Sequence, residues 1–178
     1  MPILNYTTKI SVETTISEIE KLLSDSGANK ILKEYDNDGK ISSISFIINT
    51  EKGSLPFKLP INVKAVMQVI NDQTGEYRRQ KSRAGGYGQQ VRVVPQSMYN
   101  DYDQARRVGW RIIKDWLEAQ LALFFLQMVK IEEIFLPYMY DEKTGKTMFE
   151  MLEKKGFNMQ IEQKQEDIEP NLTQVRDL

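Results

Sequence analysis

The residues best equipped for chemistry lie in YRRQKSRAGGYGQQVRV, residues 77–93, where Arg78, Arg79, Lys81, Arg83 and Arg92 occur without one acidic side chain. Guanidinium groups bind phosphate bidentately, Tyr77 and Tyr87 offer rings on which bases stack, and glycines let a backbone approach a ligand closely. The chemistry suggested is anion binding, with nucleic acid as the leading ligand. A mobile basic loop kept in water by its charges is the simpler alternative. A second group lies in ARRVGWRIIKDWLEAQ, where Arg106, Arg107 and Arg111 fall near an expected helix start. A helix dipole disfavours cations in the first turns, so the placement of Arg106 and Arg107 implies an external anion or an acidic partner, and Arg111, at i,i+4 spacing from Asp115, extends the positive surface with them. Lys114 and Glu118 stand at i,i+4 in the same stretch and read as a solvated ion pair.

Other chemistries are poorly served. The chain has no Cys and no His, which removes thiolate nucleophiles, disulfides, the Ser-His-Asp and Cys-His arrangements and every His- or Cys-containing metal motif. The GGYG run has neither the P-loop spacing nor a GxGxxG pattern, which disfavours nucleotide hydrolysis. Asp36 and Asp38 in DNDG begin like a calcium loop, yet position 12 of that loop would be Ile47 where a Glu is required, so a hairpin turn is expected instead. No spacing singles out metal ligands, and the expectation is a non-enzyme with no catalytic residue, no cofactor and no metal.

The elements that must hold these residues follow from periodicity. At 178 residues, 40% apolar and 28% charged, the chain is long enough to bury one good core and has the composition of a folded soluble protein. Tyr6 to Ser11 alternate like a short strand. Val12, Ile16, Ile19, Leu22 and Leu23 recur at helical spacing, and Gly27 stands where a helix C-terminal residue of positive φ is wanted. KILKEYD, ISSISFIIN and SLPFKLPIN follow as strands, with DNDGK and TEKG as the turns between them. The fold class expected is α+β, with residues 1–63 an N-terminal β-α-β-β-β antiparallel sheet module.

A short helical pattern, VKAVMQVI, leads into the basic Gly-containing segment over 77–96, read as a mobile loop or one extra strand over QQVRVVP. Then comes a long apolar helix over 100–136, capped by Asp101 or Asn100, with Gly109 as its one internal breaker. Trp110, Ile113, Leu117, Leu121, Phe124, Met128, Ile131 and Phe135 form its stripe, with both tryptophans read as core. A short helix around KTMFEMLEKK ends at Gly156, and 159–178 is a polar C-terminal arm after a single domain over 1–158. With no export-like start and no apolar run of membrane-spanning length, a cytoplasmic protein without a membrane partner is expected.

The strings WRIIKDWLEAQ and IFLPYMYDEKTGKTMFE resemble a pattern in small uncharacterised proteins of bacterial phages and integrating elements. The resemblance covers about residues 100–150 and, more loosely, the beginning of the chain. It implies a mobile-element setting and carries over no functional residue. The reading that results is a nucleic-acid-binding accessory protein, most simply of single-stranded or duplex DNA, using Tyr77, Arg78, Arg79, Lys81, Arg83, Tyr87, Arg92, Arg106, Arg107 and Arg111. The alternative is an oligomeric anti-defence protein that self-associates through the long helix and inhibits a host protein or sequesters a small anionic nucleotide.

Overall fold

The computed structural model describes residues 1–50, 53–81 and 87–157. The architecture is α+β: a three-stranded antiparallel sheet, a separate two-stranded one and, among the described residues, five α-helices. Helix α1 runs over Val12–Asp25, its Ser11 cap accepting the Thr14 amide at 3.1 Å, and it ends before Gly27 at φ 91°. That conformation costs a glycine nothing. Strands β1 (Ala28–Tyr35), β2 (Ile41–Thr50) and β3 (Gly53–Lys58) pair in chain order. The DNDG turn joins the first two: the Asp36 carboxylate accepts the amides of Asp38 and Lys40, and Gly39 takes φ 71°.

The first segment departs from expectation. Tyr6 to Ser11 is not a strand, so the module runs α-β-β-β. Asn5 turns the chain at φ 60°, and the Tyr6 and Thr8 carbonyls accept the side-chain amide of Gln104 at 2.7 and 3.1 Å. A side chain thus takes the place of a neighbouring strand. Six alternating residues are too weak a signal to tell these outcomes apart.

Helix α2 covers Val63–Gly75, and helix α3 covers Tyr102–Phe125, with Asp101 as its cap accepting the Gln104 amide at 2.8 Å. At 1.5 Å per residue α3 is about 36 Å long. It passes through Gly109 unbroken, and it stops at Phe125, short of the expected 136. Gln127 takes φ 57° and donates its amide to the Phe124 carbonyl at 2.9 Å, while the Met128 amide reaches Leu123 at 3.0 Å. This is a Schellman stop made without glycine, so no residue type announced it. The reversal is favoured by burial: α4 (Ile131–Phe135) returns Ile131 and Phe135 to the core, where the Phe135 ring meets Phe46 edge-on at 5.3 Å. Helix α5 (Met148–Lys154) closes the described chain behind a reciprocal Thr147–Glu150 cap.

Two hydrophobic clusters share α3. One joins Ile16, Ile19 and Leu23 of α1 to Ile44, Phe46 and Ile48 of β2, Phe57 of β3, and Trp110, Ile113, Leu117 and Leu121 of α3. The other joins Ile70 of α2, Val93, Val94, and Ala105 and Val108 of α3. Most of the apolar stripe is therefore covered by the chain's own elements, as an amphipathic helix requires. Gly109 marks a close approach: a Cβ there would lie 3.2 Å from Ile61 Cδ1 and 3.4 Å from Val66 Cγ2.

Candidate nucleic-acid interface

The basic segment is a β-hairpin. Strands β4 (Tyr77–Lys81) and β5 (Tyr87–Arg92) pair antiparallel with Tyr77 opposite Arg92, Arg78 opposite Val91, Arg79 opposite Gln90, and Lys81 opposite Tyr87. The expectation of an extra strand over QQVRVVP is met in part, since β5 ends at Arg92. Its partner is β4, and the large sheet is left as it was. Arg83 and the 159–178 arm lie outside the described residues.

The hairpin is held at its base. The Val93 amide donates to the Glu76 carbonyl at 2.9 Å, closing the ladder one pair below the strands, and Val93 and Val94 are buried against Ile70 of α2. Arg92 is doubly placed: Nη1 donates to the Thr74 carbonyl at the end of α2, and the guanidinium carbon sits 4.9 Å from the Tyr77 ring centroid. An exposed cation–π contact of this kind is worth about 0.5–1 kcal/mol. Above this base Arg78, Arg79, Gln80, Gln89 and Gln90 are all exposed.

Pleating sorts the side chains, because cross-strand partners and residues two apart share a face. Tyr77, Arg79, Gln90 and Arg92 occupy one face and Arg78, Gln80 and Val91 the other. The two strands carry four cations, Arg78, Arg79, Lys81 and Arg92, and no carboxylate. The glutamines are the polar groups that a charge-based reading passes over; their signal was the alternation of strand residues.

The helix arginines do not join this surface. Arg106 is buried at 6% exposure and donates from Nη2 to the Ile41 carbonyl at 3.3 Å. Arg107 donates from Nε and Nη2 to Gln104 Oε1 at 2.9 and 2.6 Å. Arg111 is paired with Glu18 of α1 at 2.6 Å and with Asp115 at 3.7 Å. These three cations are thus answered inside the protein, by a carbonyl, an amide oxygen and two carboxylates. At the same helix start Asp103 bonds Lys40 at 2.8 Å, which holds its carboxyl below the usual range and raises the Lys40 ammonium. The expected Lys114–Glu118 pair is present.

Among the described residues no three Asp or Glu side chains cluster as a metal site would need, and no helix is long and apolar enough to cross a membrane. The chain matches no protein-family model, no curated protein and no solved structure.

Proposed function

We propose that this protein is a non-enzymatic nucleic-acid-binding accessory protein whose β4–β5 hairpin grips phosphates. The single observation that carries the reading is a basic hairpin, free of carboxylates, anchored rigidly at its base and solvent-exposed at Arg78, Arg79 and Gln80 beyond it. Arg and Lys on such an arm supply sequence-independent affinity, and Tyr77, 54% exposed, supplies a stacking ring. The likeness of the α3 sequence to proteins of phages and integrating elements supports a mobile-element setting.

The test is retention of labelled single-stranded and duplex DNA as salt is raised. Four hairpin cations correspond to a log–log salt slope of about −3 to −4, at roughly −0.9 per phosphate for B-DNA. Replacing Arg78, Arg79, Lys81 and Arg83 together by Ala removes retention if the reading is right; unchanged retention rejects it.

A second reading, an oligomeric anti-defence protein, is favoured by one feature. Where α3 stops, Leu123, Phe125, Leu126 and Met128 remain exposed, the last two at 69% and 68%. Contiguous exposed apolar side chains mark interaction surfaces. In this reading they seat a second copy of the chain. Solution mass tests its self-association: a strict monomer at high concentration removes the reading's main support, and a dimer dissociated by Phe125→Ser and Leu126→Ser upholds the association.

A further inference from the structure

We propose that β1 is the interface for a second copy of this chain, the two strands joining edge to edge and antiparallel into one continuous six-stranded sheet. The fold treats the two edges of its three-stranded sheet differently. The β3 edge is closed by the chain itself: Phe57 bridges to Met139, and the Tyr140 amide donates to the Pro56 carbonyl at 3.1 Å. Beside β1, among the described residues, no segment pairs, and Asn29, Lys30, Leu32, Lys33, Glu34 and Tyr35 are all exposed. An edge strand whose outward amides and carbonyls are unpaired is a template for another strand, and main-chain hydrogen bonds supply the affinity.

The order of charges along β1 selects its own copy as the partner. Pairing with β2 is regular from Lys30 to Glu34, between irregularities at Ala28/Lys30 and Glu34/Tyr35. Residues directly opposite in a ladder share a face, so a two-fold axis through an antiparallel pair sets even positions against even and odd against odd. Centred on Leu32, the axis places Lys30 opposite Glu34 of the second copy, and Glu34 opposite its Lys30, with the two Leu32 side chains between them. These residues lie on the face away from α1, since Ile31 packs into the core and Lys33 bonds Glu20 of α1 at 2.7 Å. Glu34 meets Lys58 through Oε2 at 3.3 Å and is still 55% exposed, and a carboxylate accepts from more than one donor. On the α1 face Ile31 is covered by the stem of the second copy's Lys33, whose ammonium keeps Glu20. Centring on Ile31 instead sets Lys30 against Leu32, and centring on Lys33 sets that lysine against itself. Opposite charges across a ladder stabilise it and like charges destabilise it, so the Leu32 register is the one the sequence favours. The joint is isologous and closes itself, because both ends of the enlarged sheet are then the β3 edges that residues 139–140 cover.

Sedimentation equilibrium of the full chain, from micromolar to near-millimolar concentration, reads the association, with amide hydrogen exchange followed over β1. The expected result is a monomer–dimer equilibrium in which amides within residues 30–34 exchange more slowly as concentration rises. Lys30→Glu should weaken dimerisation by about tenfold or more, through two like-charge pairs, and Lys30→Glu combined with Glu34→Lys should restore it. Leu32→Lys changes an exposed side chain, so it should weaken dimerisation while leaving the far-ultraviolet circular dichroism of the monomer as it was. Phe125→Ser with Leu126→Ser should leave the dimer intact, which separates this joint from association through the end of α3. A strict monomer, a dimer insensitive to Lys30→Glu, a double reversal that fails to rescue, or a dimer abolished by the Phe125 and Leu126 changes overturns the proposal. Slow exchange in β1 at every concentration overturns it too, by giving the edge to the chain's own residues.

Discussion

Arg107 directs two of its guanidinium nitrogens, Nε and Nη2, onto one atom, the side-chain oxygen of Gln104 a turn earlier on α3. The same Gln104 uses its nitrogen to hold the Tyr6 and Thr8 carbonyls, so one buried amide joins the N-terminal segment, α3 and an arginine. Gln104→Glu keeps the acceptor and removes the donor. It should lower stability by about 1–2 kcal/mol, the cost of leaving two part-buried carbonyls without their donor, read as a lower urea midpoint at unchanged slope. An unchanged midpoint would mean that the N-terminal segment is held by something else.

Trp110 is wholly buried, and among the described residues its indole Nε1 has no hydrogen-bond partner. Trp110→Ala should cost about 3–5 kcal/mol by transfer and cavity formation. Trp110→Phe forfeits no hydrogen bond and should cost clearly less. Thermal melts of both variants test the ordering, and a loss for Trp110→Phe as large as that for Trp110→Ala would contradict it.

Gly109 allows Ile61 and Val66 to rest on α3. Helix propensity alone favours replacing it, by about 1 kcal/mol for Ala. A larger side chain meets packed neighbours, and Gly109→Leu should be destabilising by about 1–3 kcal/mol through overpacking. Urea unfolding that finds Gly109→Leu as stable as the parent would contradict the close approach.

The Lys40–Asp103 pair ties the β1–β2 turn to the start of α3 and makes stability depend on pH at both ends of the scale. Asp103 has a lowered carboxyl pKa, so its contribution is present above the unfolded value of about 3.9 and is lost as pH falls through the folded value. Lys40 is raised, so its contribution is present below about 10.4 and is lost as pH rises through its folded value. Asp103→Asn should lower the urea midpoint slightly between these limits and converge with the parent in acid. A difference that persists at low pH would assign the effect to something other than this charge pair.

Local order was legible where several local signals agreed, and misread over Tyr6 to Ser11, where alternation stood alone. Helix α1 carries its period and its terminal glycine within 16 residues, though Ser11, its cap, read as the end of a strand, and the DNDG turn carries its own Asp and Gly. The end of α3 was not legible, because Gln127 adopts a glycine-like conformation and the apolar stripe continues past it in sequence. What ends that helix is the return of Phe135 to Phe46 and Phe57, a gain visible only once the sheet is formed. The hairpin was half legible: its charges and glycines stood out, while its pairing and its two faces depend on a register that composition does not encode.

The sequence by itself determined the α+β class, the start of the long helix with Trp110 in the core and Trp116 against it, the meander of three strands and the concentration of positive charge after Glu76. The tertiary structure alone decided which positive charges face outward. Arg106 finds its acceptor 65 residues away at Ile41, and Arg111 finds its carboxylate 93 residues away at Glu18, whereas the exposed Arg78 lies on a strand that leaves the body of the protein. A cation's sign is written in the sequence, but its partner is whichever acceptor folding brings within hydrogen-bond reach. That meeting is a property of packing, which no local pattern carries.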